Sequence, residues 1–286
     1  NYDLCRDMEF KLEEFDKNGV AFPLHFNDDY YNATNTLKEY NDFQSMSKKI
    51  LGREITIKPN ILSLFFDKLC FNKEIIENVK SLIGPNLYIW SSAIFAKPPN
   101  STKKVGYHQD NPYWQLTTKK VVTVWIALTE SKENSGALKV FPKSFKLGLI
   151  NDLDVNNADN SYQKGIKTSD KNDMVSYNQN LETFLKNNSP VTVALQPNEY
   201  SIHHVDCVHG SESNKSEKPR IGYAIRYISS DTQHLNRQKD CALHVCGKKN
   251  DYFFDEIRPN KNFSETQIKH YESAIKAAGG FGNKKY

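Results

Sequence analysis

The chain has 286 residues, 38% hydrophobic and 25% charged, which is enough apolar material for a sizeable core and argues against wholesale disorder. The formal net charge is only +4, with Lys and Arg scattered among acids, so a nucleic-acid footprint is not indicated. No apolar run suits a transmembrane helix, "NYDLCRDMEFKLEEF" lacks the apolar stretch of a secretory signal, and five cysteines without C-x-x-C read as reduced thiols of a cytoplasmic protein.

Residues 8–17 read as a helix stopped by Asn18-Gly19, and "VAFPL" after it as a short strand. Residues 72–83 form a stronger helix, with Ile75, Ile76, Val79 and Ile83 on one face and Gly84-Pro85 at its end. The period then changes to two. "NLYIWSSAIFAK", "VGYHQD", "VVTVWIALTE" and "GALKVFPKS" read as strands, with "PPNSTKK" as a loop between the first two. Residues 151–190, rich in Asn, Asp, Ser and Lys, read as a long surface excursion and a candidate lid. Strands resume in "VTVAL", "YSIHHVDCVH", "RIGYAIRYIS" and "CALHVC". Residues 264–278 form a last helix, with Ser264 and Gln267 as a capping box and Gly279-Gly280 closing it. This order predicts one domain over 1–286: a helical lead-in at 1–86, a mainly β core at 87–250 and a C-terminal helix at 264–278. The core is expected to be a sandwich or barrel with flanking helices outside it.

"VGYHQD" carries the first chemical signal. On a strand, residues i and i+2 point the same way, so His108 and Asp110 present an imidazole and a carboxylate together while Gln109 faces away. Two ligands hold a metal weakly, and "CVHGS" offers His209 as a third. His203, His204 and His244 compete with it. His209 is favoured because Ser211 stands two residues after it and Arg220 at the start of the next strand, where a guanidinium can pair with the distal carboxylate of a 2-oxo acid. Two histidines and one carboxylate on one face of a metal suit non-haem Fe(II), with positions left for a co-substrate and O2.

In "KPPNSTKKVGYHQDNPYW", "VVTVWIALTESKENSGALKVFPKS" and "HHVDCVHGSESNKSEKPRIGYAIRY" the chain resembles the phytanoyl-CoA dioxygenase family of Fe(II)/2-oxoglutarate oxygenases. The resemblance implies a double-stranded β-helix, a cupin-like jelly-roll. It carries iron ligation to His108, Asp110 and His209, and 2-oxoglutarate contacts to Arg220, Ser211 and Trp125. Ala93 occupies a position where some relatives contact 2-oxoglutarate. Asp110 separates the chain from members that halogenate, which carry Gly or Ala there. The activity implied is oxidation of a substrate by O2, with 2-oxoglutarate leaving as succinate and CO2. Hydroxylation leads; desaturation or oxidative cyclisation, and a non-catalytic metal- or ligand-binding jelly-roll, are the alternatives.

For the substrate, a regular "RIGYAIRY" strand turns Arg220, Gly222, Ala224 and Arg226 inward, with room expected above the two small residues. Arg226 is then expected to meet an anionic group of the substrate, or else a protein carboxylate. Asn111 and Tyr113 are expected at the pocket mouth, and Trp114 in the core. No basic cluster for a CoA phosphate tail stands out, so the expected partner is a small polar, anionic molecule, with neither nucleic acid nor membrane. Asn134 or a backbone carbonyl is expected to orient a ligand imidazole.

Overall fold

The structure is a computed structural model that describes residues 12–25, 28–150, 166–167, 171–174, 177–178 and 181–277. The strands are β1 (Val20–His25), β2 (Leu87–Lys97), β3 (Val105–His108), β4 (Val121–Ala127), β5 (Leu138–Val140), β6 (Ile166–Lys167), β7 (Tyr177–Asn178), β8 (Val191–Val193), β9 (Glu199–His204), β10 (His209–Ser211), β11 (Arg220–Ser229), β12 (Asp240–Cys246) and β13 (Phe253–Asp255). Among the described residues they form a large sheet in the order β1-β9-β4-β11-β2-β12-β13, a smaller one in the order β3-β10-β5-β8, and a β6-β7 ribbon. Two facing sheets with helices outside make the cupin-like jelly-roll core that the sequence predicts.

Alternation along β4 and β11 explains the layering. Val122, Val124 and Ile126, with Ile221, Tyr223, Ile225 and Tyr227, point to the helix side and join one core. Trp125, Ala127 and Ala224 point the other way and meet Leu138, Val140 and Val193 of the smaller sheet. Burying such side chains contributes roughly 1.5–3 kcal/mol for each large aliphatic or aromatic one. The tyrosines on the helix side also need partners for their hydroxyls. Tyr227 donates to the Cys70 carbonyl at 2.7 Å, and Tyr200 accepts from Asn78 at 2.7 Å. These bonds fasten the lead-in helices to the sheet.

Residues 12–18 are helical (α1), residues 8–11 of the expected helix lie outside the described residues, and the Gly19 N–H returns to the Phe15 carbonyl. A long helix that periodicity did not indicate, α2 (Ala33–Leu51), comes after β1. Asn32 caps its start by accepting from the N–H groups of Thr34 and Asn35, and Gly52, at φ 69°, ends it. Then come α3 (Leu64–Cys70) and α4 (Lys73–Ile83), the latter capped by Asn72 and stopped at Gly84 as its sequence requires. Past the metal strand stands a single turn, α5 (Asn111–Trp114); α6 (Glu182–Asn187) comes after the insert and α7 (Glu265–Ala277) closes the described chain. The Ser264 hydroxyl accepts from the Gln267 N–H at 3.3 Å, while Gly279-Gly280 lie outside the described residues.

Much of 151–190 lies outside the described residues, and with it most of the candidate lid. Its described part touches the core: Lys104 and Met174 donate backbone bonds to Asn172 and Lys104, and the Gly106 N–H donates to Asp173 Oδ1 at 3.2 Å. Residues 171–174 therefore run beside the start of β3, at the cavity rim.

Candidate metal centre

Strand β3 ends at His108, so Asp110 is not on it, contrary to the expectation from the sequence. Asp110 has helical dihedrals, φ −73° and ψ −39°, and stands at the N-terminus of α5. Its N–H donates to the Val205 carbonyl, which folds the chain back beside His108. Gln109 does face away, with its amide donating to the carbonyls of Gly148 and Asp206, both at 2.8 Å. The pair converges as expected, but through a strand-to-helix corner.

"YSIHHVDCVH" is likewise two strands in different sheets, not one. β9 belongs to the large sheet, and a turn at Val205–Cys207 hands the chain to β10 in the smaller one. His209 opens β10 directly opposite His108 in the antiparallel register. The ring centroids lie 4.4 Å apart. One ligand atom from each of His108, Asp110 and His209 falls within 4.8 Å of the other two, and all three residues are buried. His108 Nε2 is 3.4 Å and His209 Nε2 3.9 Å from the Asp110 carboxylate.

The backbone settles which nitrogens face inward. His108 Nδ1 lies 2.8 Å from the Gly106 carbonyl and His209 Nδ1 2.9 Å from the Cys207 carbonyl. A carbonyl only accepts, so each Nδ1 carries a proton and each Nε2 is the nitrogen turned to the centre. Of the two candidate orienting groups, the backbone serves; the Asn134 carbonyl accepts from the Lys215 N–H elsewhere. Burial pushes the Asp110 carboxyl up, but the charges of His209 and His108 outweigh it and hold the group well below the usual carboxylate range. Burial, with His108 beside it, lowers His209 to about 4. For His108 burial is the largest cause and lowers it, yet hydrogen bonding and charge from Asp110 leave it raised. One imidazole is thus neutral, and the carboxylate stays ionised.

A cavity of about 1340 Å³ opens from this cluster between the sheets. At one end lies Arg220, fully buried, its guanidinium donating to the Phe95 carbonyl at 3.3 Å and resting 5.6 Å from the Trp125 ring. Burial lowers it to about 10, still fully charged at neutral pH. Its Nε has no hydrogen-bond partner among the described residues. Ser211 faces the same space, but its hydroxyl is engaged by Lys97, whose amine donates to it at 2.6 Å and also to the Glu212 carbonyl. Lys97 lies opposite Arg220 in the β2–β11 register. Burial and the Arg220 charge push its amine down to about 6. Alternation along β2 carried that signal, since Lys97 shares the parity of Ala93, a buried cavity residue.

Arg226, six residues further along β11, lines the same cavity. No carboxylate among the described residues lies within 4.0 Å of it; the rings of Phe95 and Trp114 do approach, at 5.7 and 5.5 Å. The room expected above Gly222 is not there. The Trp125 indole fills it, so closely that a Cβ on Gly222 would stand 2.0 Å from Trp125 Cζ2. Ala224 does border the cavity. Tyr113 also lines it, with its ring 6.0 Å from that of His108, but Asn111 does not; the Asn111 N–H serves the Val205 carbonyl at the corner. Trp114, expected in the core, stands half-buried at the wall against Trp90. Of the competing histidines, His203 is buried beside the centre, 4.6 Å from the His209 ring, whereas His204 and His244 are outside the cluster.

Comparison with known proteins fits this geometry. Phytanoyl-CoA dioxygenase of Homo sapiens is 23% identical over 201 residues, covering 68% of this chain and 56% of that protein. A probable alpha-ketoglutarate-dependent hypophosphite dioxygenase of Stutzerimonas stutzeri is 25% identical over 177 residues, covering 62% and 57%. The chain thus spans about half the length of these curated relatives. Among solved structures, the non-heme monooxygenase ThoJ superposes with a TM-score of 0.76 at 23% identity, over 93% of this chain and 95% of that one, a likeness of fold. No helix among the described residues is long and apolar enough to cross a membrane. The family model for phytanoyl-CoA dioxygenase (PhyH) matches residues 17–222, a span that holds the two imidazoles, the carboxylate and Arg220, and the chain belongs to that family.

Proposed function

We propose that this chain is an Fe(II)- and 2-oxoglutarate-dependent dioxygenase that hydroxylates a small, polar, anionic molecule and releases succinate and CO2. The observation that carries the reading is the buried His108–Asp110–His209 cluster, with both Nε2 atoms and an ionised carboxylate turned to one point. Such a donor set fits Fe(II) and leaves positions for a chelating 2-oxo acid and O2. When bound, the iron supplies the oxidising power, at the expense of 2-oxoglutarate decarboxylation.

The remaining work falls to this chain's own groups. Arg220 is a buried cation with an unused Nε, and a carboxylate seated against it would satisfy both the charge and that N–H. Ser211 and the Trp125 ring, the latter packed on the guanidinium, fix the position of that carboxylate. Lys97 orients Ser211 from behind. The aromatic walls at Phe95, Tyr113 and Trp114 exclude water from the reacting atoms. Arg226 faces the substrate end, and the lack of a carboxylate within 4.0 Å of it among the described residues favours an anionic substrate over a protein ion pair.

The test is succinate formation by purified protein with Fe(II), 2-oxoglutarate and O2 across a panel of small acids. Succinate is expected to depend on Fe(II) and to rise with an accepted substrate. His108→Ala and Asp110→Ala are expected to abolish both iron retention and succinate. Protein that leaves 2-oxoglutarate untouched with iron bound would sink the reading.

A further inference from the structure

Four strands of the large sheet, β9, β4, β11 and β2, lie side by side, and their registers align one residue from each. His203 is opposite Thr123, Thr123 opposite Arg226, and Arg226 opposite Ser91. All four line the cavity. They make a straight polar row across the sheet, with roughly 4.8 Å between neighbouring strands. The next row on the same face reads Ser201, Trp125, Ala224 and Ala93, most of it apolar.

The row is unusual in its hydrogen bonding. Thr123 Oγ1, both ring nitrogens of His203 and Arg226 Nε are buried and have no hydrogen-bond partner among the described residues. His203 and Thr123 are 2% and 3% exposed. Buried polar groups in a folded sheet are nearly always satisfied, and leaving several together unsatisfied costs free energy that an apolar row would avoid. An imidazole carries at least one ring N–H in either charge state, so His203 always has a donor to offer. The row therefore offers a guanidinium, a hydroxyl and an imidazole N–H as donors. Phe95 and Trp114 rest against the guanidinium, and such contacts leave its N–H edge for in-plane bonding. Asp110, the carboxylate whose charge reaches Arg226, is already engaged by two imidazoles.

We propose that the His203–Thr123–Arg226 row anchors the prime substrate, and that the group it anchors is a carboxylate. The proposal rests on the dioxygenase reading above and names its substrate class as carboxylic acids. A planar carboxylate matches one guanidinium edge in bidentate fashion, with Thr123 and His203 as further donors. A phosphonate dianion would call for more positive charge than the single cation of this row. The anchored acid sits beside the metal cluster, because His203 contacts the His209 ring.

The test uses full-length protein loaded with Mn(II) and 2-oxoglutarate under argon, titrated calorimetrically with benzoate, benzamide and phenylphosphonate. Benzoate is expected to bind at least about tenfold more tightly than either analogue, the size of one charge-assisted hydrogen bond. Arg226→Gln, Thr123→Val and His203→Phe are each expected to weaken benzoate by about tenfold or more. Benzamide affinity should hold in all three, which also reports that the pocket is still folded. Equal binding of benzoate and benzamide, no benzoate binding, or benzoate binding indifferent to the three substitutions would overturn the proposal. Tighter binding of phenylphosphonate would overturn the carboxylate assignment. Loss of 2-oxoglutarate affinity in Arg226→Gln would give that guanidinium to the co-substrate and overturn the proposal too. Failure of the dioxygenase reading is read separately, before any probe is added, as wild-type protein that takes up neither Mn(II) nor 2-oxoglutarate, and the anchoring proposal falls with it.

Discussion

Each of the two cluster histidines is oriented by the carbonyl two residues before it, Gly106 for His108 and Cys207 for His209. The i−2 carbonyl fixes the tautomer without any other side chain, so the Nε2 atoms are set by the backbone of β3 and of the turn that leads into β10. The same pair carries a pH prediction. In metal-free protein burial lowers the His108 imidazole, but the hydrogen bond and charge of Asp110 outweigh it, so His108 keeps its second proton to higher pH than an ordinary imidazole and a metal must displace that proton. Its charge stabilises the metal-free fold below the unfolded-state value, and that contribution is lost as pH rises through the folded-state one. Metal affinity is expected to move the opposite way and rise with pH through this window. Calorimetric titration of Mn(II) in buffers of differing ionisation enthalpy checks it: proton release is expected at low pH and is expected to fade as pH rises. Binding without proton uptake or release throughout would contradict the His108 assignment.

At the level of elements, the centre stands at two corners, and a single side chain joins them. Gln109 donates to the Asp206 carbonyl in the β9–β10 turn and to the Gly148 carbonyl, and accepts from the Ile150 N–H at 2.9 Å. It is fully buried. Gln109→Leu would leave those groups without partners, at a cost of roughly 2–5 kcal/mol for two or three buried groups. Urea unfolding is expected to show that loss. Metal affinity is expected to fall by about tenfold to a hundredfold, as when a supporting partner of a ligand is removed. Unfolding changed with metal affinity intact would mean that the corners hold without Gln109. The corners also mark where the sequence stopped being readable. His-x-Asp was legible as a pair because two residues that converge by alternation also converge through a tight turn, and the letters "HQD" do not separate the two. "YSIHHVDCVH" alternates well enough to pass for one strand; the Cys207 N–H bond to the His204 carbonyl, the Asp206 N–H bond to His204 Nδ1 and the switch of sheets reveal the turn. Helix α2 escaped for another reason. Its buried face includes Thr36, Gln44 and Ser47, and Gln44 bonds both the N–H and the carbonyl of Ile55, so it packs by hydrogen bonds where an apolar stripe was sought.

Across the whole molecule, the two cluster histidines and the two guanidiniums belong to opposite sheets. His108 and His209 come from β3 and β10 of the smaller sheet, while Arg220, Trp125, His203 and Arg226 come from the larger one. A metal ion would bind one sheet, and a 2-oxo acid chelated to that ion with its far carboxylate on Arg220 would bridge both. Alternation along β11 made the inward direction of Arg220 and Arg226 legible from sequence, but neither the division between two sheets nor the Trp125 indole that fills the face of Gly222. The bridge has a thermodynamic signature. A ligand at a hundred times its Kd adds about 2.7 kcal/mol of stability, which moves Tm by several degrees in a protein of this size. Mn(II) alone is expected to raise Tm, 2-oxoglutarate alone to do little, and the two together to exceed the sum, because the chelate exists only on the metal. Asp110→Asn is expected to remove the Mn(II) effect. Arg220→Gln is expected to spare it and to remove most of the 2-oxoglutarate increment. Thermal unfolding under argon with each combination checks this; strictly additive shifts, or an increment that survives Arg220→Gln, would place the co-substrate away from Arg220 and leave the two sheets unlinked by it.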